Sequence, residues 1–450
     1  METKDFYEKV IELLEKTDYQ SLRTLLNESE PYDIALLCEE LDEKVLPIVF
    51  RLISKDIAAE CFSDMDPEIQ ELLIRRMTDA ELKAMLDEMF IDDTVDVIEE
   101  MPANIATRIL ANSDPESRDQ INAILNYPKE SAGSIMTVEY VRLERNMSVA
   151  DAFARIRRVG MEKETIYTCY VTDSARTLVG VVTAMDLMLS DPDTLISEIM
   201  ETNVISATTD EDREDVVKKF SDYDFLALPV VDKENRLVGI VTVDDAIDVA
   251  LEEATEDVEM MAAITPSDKP YLRVGVIETW LSRIPWLMIL MLSATFTSAI
   301  MSSYEESLNK LVILTYFIPM LMGTAGNAGG QTSVTIIRAL SLGDVETSDI
   351  FRIMWKELRV SLLCGIALGI VGFFKAMWLD GADVTVAFVV SLTLVATVLL
   401  AKVIGCLFPV LIKQLGFDPA VVASPFITTV VDALALVVYF AVATSIITYI

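Results

Sequence analysis

Five stretches beyond residue 270, at 284–302, 311–340, 358–379, 384–412 and 419–450, are apolar and long enough to cross roughly 30 Å of hydrocarbon. In lipid every backbone polar group must be bonded internally, so stretches of this length are expected as transmembrane helices. The last of them carries one ionisable side chain, Asp432. A carboxylate at membrane depth is costly and normally faces a water-filled path or a partner. Asp432 is therefore expected to serve an ion pathway, with a structural hydrogen bond to Asn327 or Gln331 as the alternative.

Two features support a pathway. Gly323, Gly326, Gly329 and Gly330 fall within eight residues of the second stretch. They permit either a break in the helix or close backbone approach, and Asn327 and Gln331 among them add carbonyl oxygens suited to hard cations. In the fifth stretch Pro425 is expected to break the helix about two turns before Asp432 and free a carbonyl, with Ser424, Thr428 and Thr429 on the approach.

Charge divides the chain sharply. Residues 271–450 hold 11 acidic and 10 basic side chains, which leaves 61 acidic and 26 basic before them. A near-neutral membrane part is thus joined to a part near −35, a balance that opposes nucleic acid or anionic lipid as a partner. There is no histidine, and the five cysteines lack paired spacing. Soft metal sites, Ser/His/Asp and Cys/His catalysis are disfavoured, and oxygen ligands for Mg²⁺ or Ca²⁺ remain. No apolar core follows Glu2, Lys4 and Asp5, so the acidic part is expected in the cytoplasm. Arg273, Arg283, Arg338, Arg352, Lys356, Arg359 and Lys413 then lie inside, only Lys310 and Lys375 outside, and the C-terminus emerges outside.

Residues 5–130 read as short helices in series, with helix starts at Asp66-Pro67-Glu68, at Thr78 to Glu81, and at Ser113 to Glu116; the last two fit a capping box. Such a chain of hairpins stacks naturally as a superhelix. From about 131 to 250 a repeat appears. The run at 170–188 aligns with 229–247, setting LVGVVT against LVGIVT, at an offset of 59 that widens to 64 where Ile135-Met136 matches Ile199-Met200. Each copy reads strand, helix, strand, strand, helix. Residues 244–261 form one helix with Asp245, Asp248, Glu252, Glu256 and Glu259 at steps of three or four. Those neighbouring like charges call for bound cations or a fully solvated face.

The repeat resembles the cystathionine-β-synthase (CBS) domain tandem, a sensory module often used for adenine nucleotides. The resemblance puts Thr183 with Asp186 and Thr242 with Asp245 at ribose-contacting positions; capping of the following helix is the other reading of these residues. Met185 stands where the pattern has a basic residue.

The whole arrangement, with PxxxGxxGNxGxQ in the second span and GhDPAhhxxPhhTxhxD in the fifth, resembles the MgtE family of magnesium channels over essentially all 450 residues. The implied protein is a multidomain membrane protein. It has an all-α cytosolic superhelical N-domain (1–130), an α/β CBS-domain tandem (131–195 and 196–250), an acidic connecting helix and linker (244–270), and a five-helix transmembrane pore domain (271–450). The resemblance implies a homodimer in the plasma (inner) membrane that imports Mg²⁺ past paired Asp432 side chains, with Ser424, Pro425, Thr428, Gly326, Asn327 and Gln331 along the pore. Ser424 replaces an expected Asn. It further implies closure by Mg²⁺ bound at Glu60, Asp92, Asp96, Asp212, Glu214, Asp224, Asp245, Asp248, Glu253, Glu256 and Asp257, and ATP at the CBS domains. A proton-coupled divalent cation transporter and a membrane-anchored sensor without transport are the other readings; an enzyme is not expected.

Overall fold

The computed structural model describes residues 3–267, 271–272, 274–421 and 424–447. Arg273, linker residues 268–270, positions 422–423 and the 448–450 end of the fifth stretch lie outside these, as does the side chain of Lys310. The chain separates into two compact units, Met1–Ala250 and Leu251–Ile450.

The first unit opens with ten short helices: α1 Thr3–Glu15, α2 Tyr19–Asn27, α3 Pro31–Glu40, α4 Leu46–Phe50, α5 Lys55–Ser63, α6 Pro67–Arg76, α7 Asp79–Leu86, α8 Ile91–Glu100, α9 Ala103–Asn112 and α10 Pro115–Ile124. Their ends follow local chemistry. Thr78 and Glu81 close the expected capping box on α7. The second expected box is not formed. Asp114 caps α10 by accepting from the Glu116 and Ser117 amides, while the Ser113 hydroxyl donates back to Ile109, because the proline after Asp114 fixes the first turn one residue later.

The repeats then build two small sheets. The first has β1 Tyr140–Glu144, α11 Val149–Val159, β2 Thr165–Thr172, β3 Leu178–Thr183, α12 Ala184–Leu189 and α13 Ile196–Ile199; the second has β4 Ala207–Thr208, α14 Arg213–Tyr223, β5 Ala227–Val231, β6 Leu237–Thr242 and α15 Val243–Met261. In each sheet the first strand pairs parallel to the second, and the second antiparallel to the third. The lead-in segments cross over. Thr137 exchanges hydrogen bonds with Ile240, and Glu201 with Val181, so each copy's third strand is extended by residues that precede the other copy. Gly239 makes this possible: a Cβ there would lie 2.6 Å from Met136 Sδ and 2.7 Å from the Thr137 carbonyl. One core runs from the helical hairpins into the second sheet through Leu228, Val230, Val241 and Ala246.

The second unit holds α16 Val276–Ser303, α17 Glu305–Lys310, α18 Ile318–Ser341, α19 Ile350–Trp378, α20 Val384–Gln414 and α21 Ser424–Ile446, with a 3₁₀ turn Val312–Phe317 leading into α18. All but α17 belong to segments that are apolar and long enough to cross a membrane. One alternative is decided and one expectation corrected. The glycine-rich stretch does not break: α18 is continuous from Ile318 to Ser341, and its glycines serve the close backbone approach. Pro425 does not interrupt a helix either; it stands in the first turn of α21, where a missing N–H leaves no hydrogen bond unmade. The third helix also starts at Ile350, eight residues before the apolar run, so Arg352, Lys356 and Arg359 are helical.

Candidate ion path and acidic cluster

In the second unit α18 packs between α20 and α21 at a spacing only glycine permits. A Cβ on Gly405 of α20 would lie 2.3 Å from the Gly329 carbonyl of α18, so the two backbones touch. A Cβ on Gly326 would meet Thr428 Cγ2 at 2.6 Å and Asp432 Oδ1 at 3.3 Å. Beside this crossing lies a cavity of about 740 Å³. Gly326, Asn327, Gly330 and Gln331 line it from α18, and Ser424 and Thr428 from α21, so five of the residues expected along a pore, all but Gly330 of these six, do meet there. Asn327 and Gln331, one turn apart, are exposed towards it.

The hydroxyls are oriented. Thr428 donates to the Ser424 carbonyl and Thr429 to the Pro425 carbonyl, each at 2.9 Å, which spends their protons on the helix and leaves oxygen lone pairs to face outward. Asp432 lies one turn beyond Thr428. Its Oδ1 is buried and has no hydrogen-bond partner among the described residues, so the structural bond to Asn327 or Gln331 is not made. A lone pair left buried this way is costly unless a ligand or water completes it.

Sequence reasoning missed two side chains on the same cavity, Glu357 of α19 and Lys402 of α20. Lys402 is the single charged residue in the 384–412 stretch, and that was the available signal.

The first unit contains a second concentration of oxygen. Asp92, Asp93 and Asp96 on α8 face Asp244 and Asp245 at the start of α15, together with Glu139 and Glu164. Burial first, and mutual repulsion second, raise Asp92, Asp93, Asp96, Asp245 and Glu164 far above the ordinary carboxylate range, and burial raises Glu139. Asp92 reaches about 6, Asp245 about 7, Asp93 and Asp96 about 8, and Glu164 about 9. Asp92 Oδ1 and Glu164 Oε2 are buried with no hydrogen-bond partner among the described residues. Glu139 is held in place by accepting the Ile91 amide at the head of α8, at 2.9 Å. Such a group must be neutralised by protons or by cations, and hard divalent ions favour all-oxygen sites. Alongside it, burial and the charges of Asp248 and Glu60 raise Asp64.

Of the expected metal ligands, Asp92, Asp96 and Asp245 come together, and Glu60 with Asp248 flank Asp64. The cluster adds Asp93, Asp244, Glu139 and Glu164, of which only the doubled Asp92-Asp93 and Asp244-Asp245 were visible as motifs. Asp212 and Glu214 sit at the first turn of α14 and Asp224 at its left-handed C-cap, φ 55°, a helix length of about 16 Å away, so these three do not converge. Glu253, Glu256 and Asp257 lie on the later turns of α15, where Asp257 accepts the Ser341 hydroxyl at the end of α18, at 3.2 Å.

At the nucleotide positions the carboxylates are engaged in capping. Asp186 accepts both the Thr183 amide and hydroxyl, at 3.0 and 2.6 Å, and Asp245 accepts the Thr242 hydroxyl at 2.5 Å. On β1 and β2, Tyr170 Oη, Thr172 Oγ1 and Arg142 Nε are buried without hydrogen-bond partners among the described residues.

Residues 318–442 match the MgtE divalent cation transporter family, 29–130 the MgtE intracellular N domain, and 132–192 with 196–252 the CBS domain. The chain is 38% identical over 436 residues to the magnesium transporter MgtE of Thermus thermophilus, covering 96% of each protein. The chain belongs to the MgtE family. It is 32% identical to the magnesium transporter MgtE of Bacillus subtilis, over 97% of this chain and 96% of that protein. Its first unit is similar to the crystal structure of the cytosolic domain of the Mg²⁺ channel MgtE in complex with ATP, at a TM-score of 0.52 and 38% identity, covering 54% of this chain and 99% of that one. As an MgtE protein the chain is a multidomain integral membrane transporter and not an enzyme.

Proposed function

We propose that the chain is a homodimeric, Mg²⁺-selective channel of the plasma (inner) membrane. Its acidic unit faces the cytoplasm, its C-terminus faces out, and Mg²⁺ enters the cell down its electrochemical gradient. The observation that carries this reading is the buried, unpartnered Asp432 Oδ1 beyond a cavity walled by amide, hydroxyl and backbone oxygens. Mg²⁺ surrenders its waters reluctantly and is bound through few carboxylates. Carbonyl and hydroxyl oxygens suit its hydration shell, and Asp432 supplies charge. One carboxylate is sparse for a divalent ion, so a second chain is required to present a second Asp432.

The same ion closes the channel. When cytosolic Mg²⁺ is scarce, the carboxylates around Asp92, Asp93, Asp96 and Asp245 repel and favour separation of the helical hairpins from the CBS repeats. When it is plentiful, bound ions draw them together. Glu60 and Asp248 beside Asp64, the Asp212, Glu214 and Asp224 carboxylates, and Glu253, Glu256 and Asp257 on α15 provide further cation positions. The α15 helix conveys the change towards α18 through Asp257. A ligand closes a gate only by binding the closed state better, and near-complete closure needs about 5 kcal/mol of differential binding. Several shared ions supply it. The solved relative in complex with ATP supports a nucleotide at the CBS repeats, with Thr183, Asp186, Thr242 and Asp245 at its ribose. The working division is 1–130, 131–195, 196–250, 244–270 and 271–450.

The test is Mg²⁺ uptake into liposomes holding the purified full chain. Asp432→Ala is expected to reduce uptake at least about tenfold, the loss from removing one charged ligand. Full uptake by this variant would remove Asp432 from the path.

A further inference from the structure

The cavity wall carries one opposed pair of charges that the path itself does not use. Lys402 is buried; its Nζ lies 3.6 Å from Glu357 Oε2 and donates to Thr332 Oγ1 at 3.1 Å, while the Thr332 hydroxyl donates to the same carboxylate oxygen at 3.2 Å. Three helices therefore meet in one closed triad, immediately after Gln331 on α18. Alone, an ammonium on this wall repels any entering cation, and a lone carboxylate here is an additional cation ligand. Held together they present no net charge.

We infer that the Lys402–Glu357 pair is a specificity-determining element: Lys402 cancels Glu357, so that an ion in the cavity meets neutral oxygens and Asp432 remains the uncompensated charge of the path. The inference rests on the channel reading. A lone carboxylate attracts monovalent as well as divalent cations, so cancelling Glu357 keeps the cavity from concentrating K⁺. A pair that merely ties helices together gives the same loss whichever partner is removed. A compensating pair gives opposite effects.

The experiment compares Mg²⁺ and K⁺ flux in liposomes for the unsubstituted chain, Lys402→Met, Glu357→Gln and the double variant. Lys402→Met is expected to raise K⁺ flux about tenfold and Glu357→Gln to lower it by a similar factor, with Mg²⁺ flux moving in the same direction as K⁺ flux in each variant, as one fixed charge a few ångströms from the path would do. Removing both partners of a buried pair is tolerated far better than removing one, so the double variant should return near the unsubstituted K⁺ and Mg²⁺ flux. Single variants that shift K⁺ flux in the same direction, or leave it unmoved, overturn the inference. Should a single variant fail to elute as folded protein, the neutral variant Lys402→Cys/Glu357→Gln replaces it. A cationic thiol reagent should cut its flux about tenfold relative to a neutral reagent, against the unsubstituted chain so treated, since it restores one uncompensated charge. Equal effects of the two reagents overturn the inference. If Asp432→Ala abolishes Mg²⁺ uptake while the pair variants change nothing, this inference fails alone; if the unsubstituted chain carries no Mg²⁺, both fall.

Discussion

Gly326 is where packing and chemistry meet most closely. It lets α21 approach α18 until Thr428 and Asp432 lie against the helix backbone, and the same contact holds the Asp432 carboxylate beside the glycine-rich surface. Gly326→Ala places a methyl 2.6 Å from Thr428 Cγ2, below any real carbon contact, so one helix must shift. Overpacking of this kind costs about 1–3 kcal/mol. The expected outcome is a lower thermal unfolding midpoint in detergent together with reduced Mg²⁺ uptake. A variant with unchanged midpoint and uptake would mean that the α18–α21 contact is looser than described.

At the scale of elements, α8 and the first turns of α15 form an acidic seam whose behaviour with pH has a definite sign. Burial and mutual repulsion lift Asp93 and Asp96 to about 8 and Asp245 to about 7, from an ordinary value near 4. Between those limits the folded protein binds more protons than the unfolded chain. Without divalent cations, stability is therefore greatest at low pH and falls as pH rises from about 4 through 8, by about 1.4 kcal/mol per pH unit for each proton of difference. Mg²⁺ competes with those protons. The unfolding midpoint of the divalent-free protein should drop between pH 5 and pH 8, and added Mg²⁺ should raise it more at pH 8 than at pH 6. A midpoint flat across this range would show that the seam is neither buried nor crowded as described.

For the whole molecule the connecting element is α15, whose first residues belong to the acidic unit and whose later turns belong to the membrane unit. It is one continuous helix of 19 residues, about 28 Å long at the usual rise per residue. If Mg²⁺ closes the channel through it, millimolar Mg²⁺ should slow limited proteolysis across 244–270 several-fold in the full chain. Equal cleavage rates with and without Mg²⁺ would separate the acidic seam from gating.

The sequence by itself determined the partition into an acidic unit and a membrane unit, the five apolar helices, the helical hairpins and the paired repeats. Those follow from composition and local periodicity, which are properties of neighbouring residues. It also isolated Asp432, since one charge in an apolar run needs no structure to be seen. Tertiary structure decided which carboxylates share a site. Asp92 and Asp245 are far apart in sequence, and Glu139 and Glu164 carry no local signal at all; only folding brings them together. It likewise decided that the glycines serve contact and not a break, and that Pro425 starts a helix, because sequence gives the conformations a residue permits while packing selects among them. The Lys402–Glu357 pair belongs to the same class. Lys402 is a membrane misfit when read alone, and its approach to 3.6 Å from Glu357 turns two costly charges into one neutral wall.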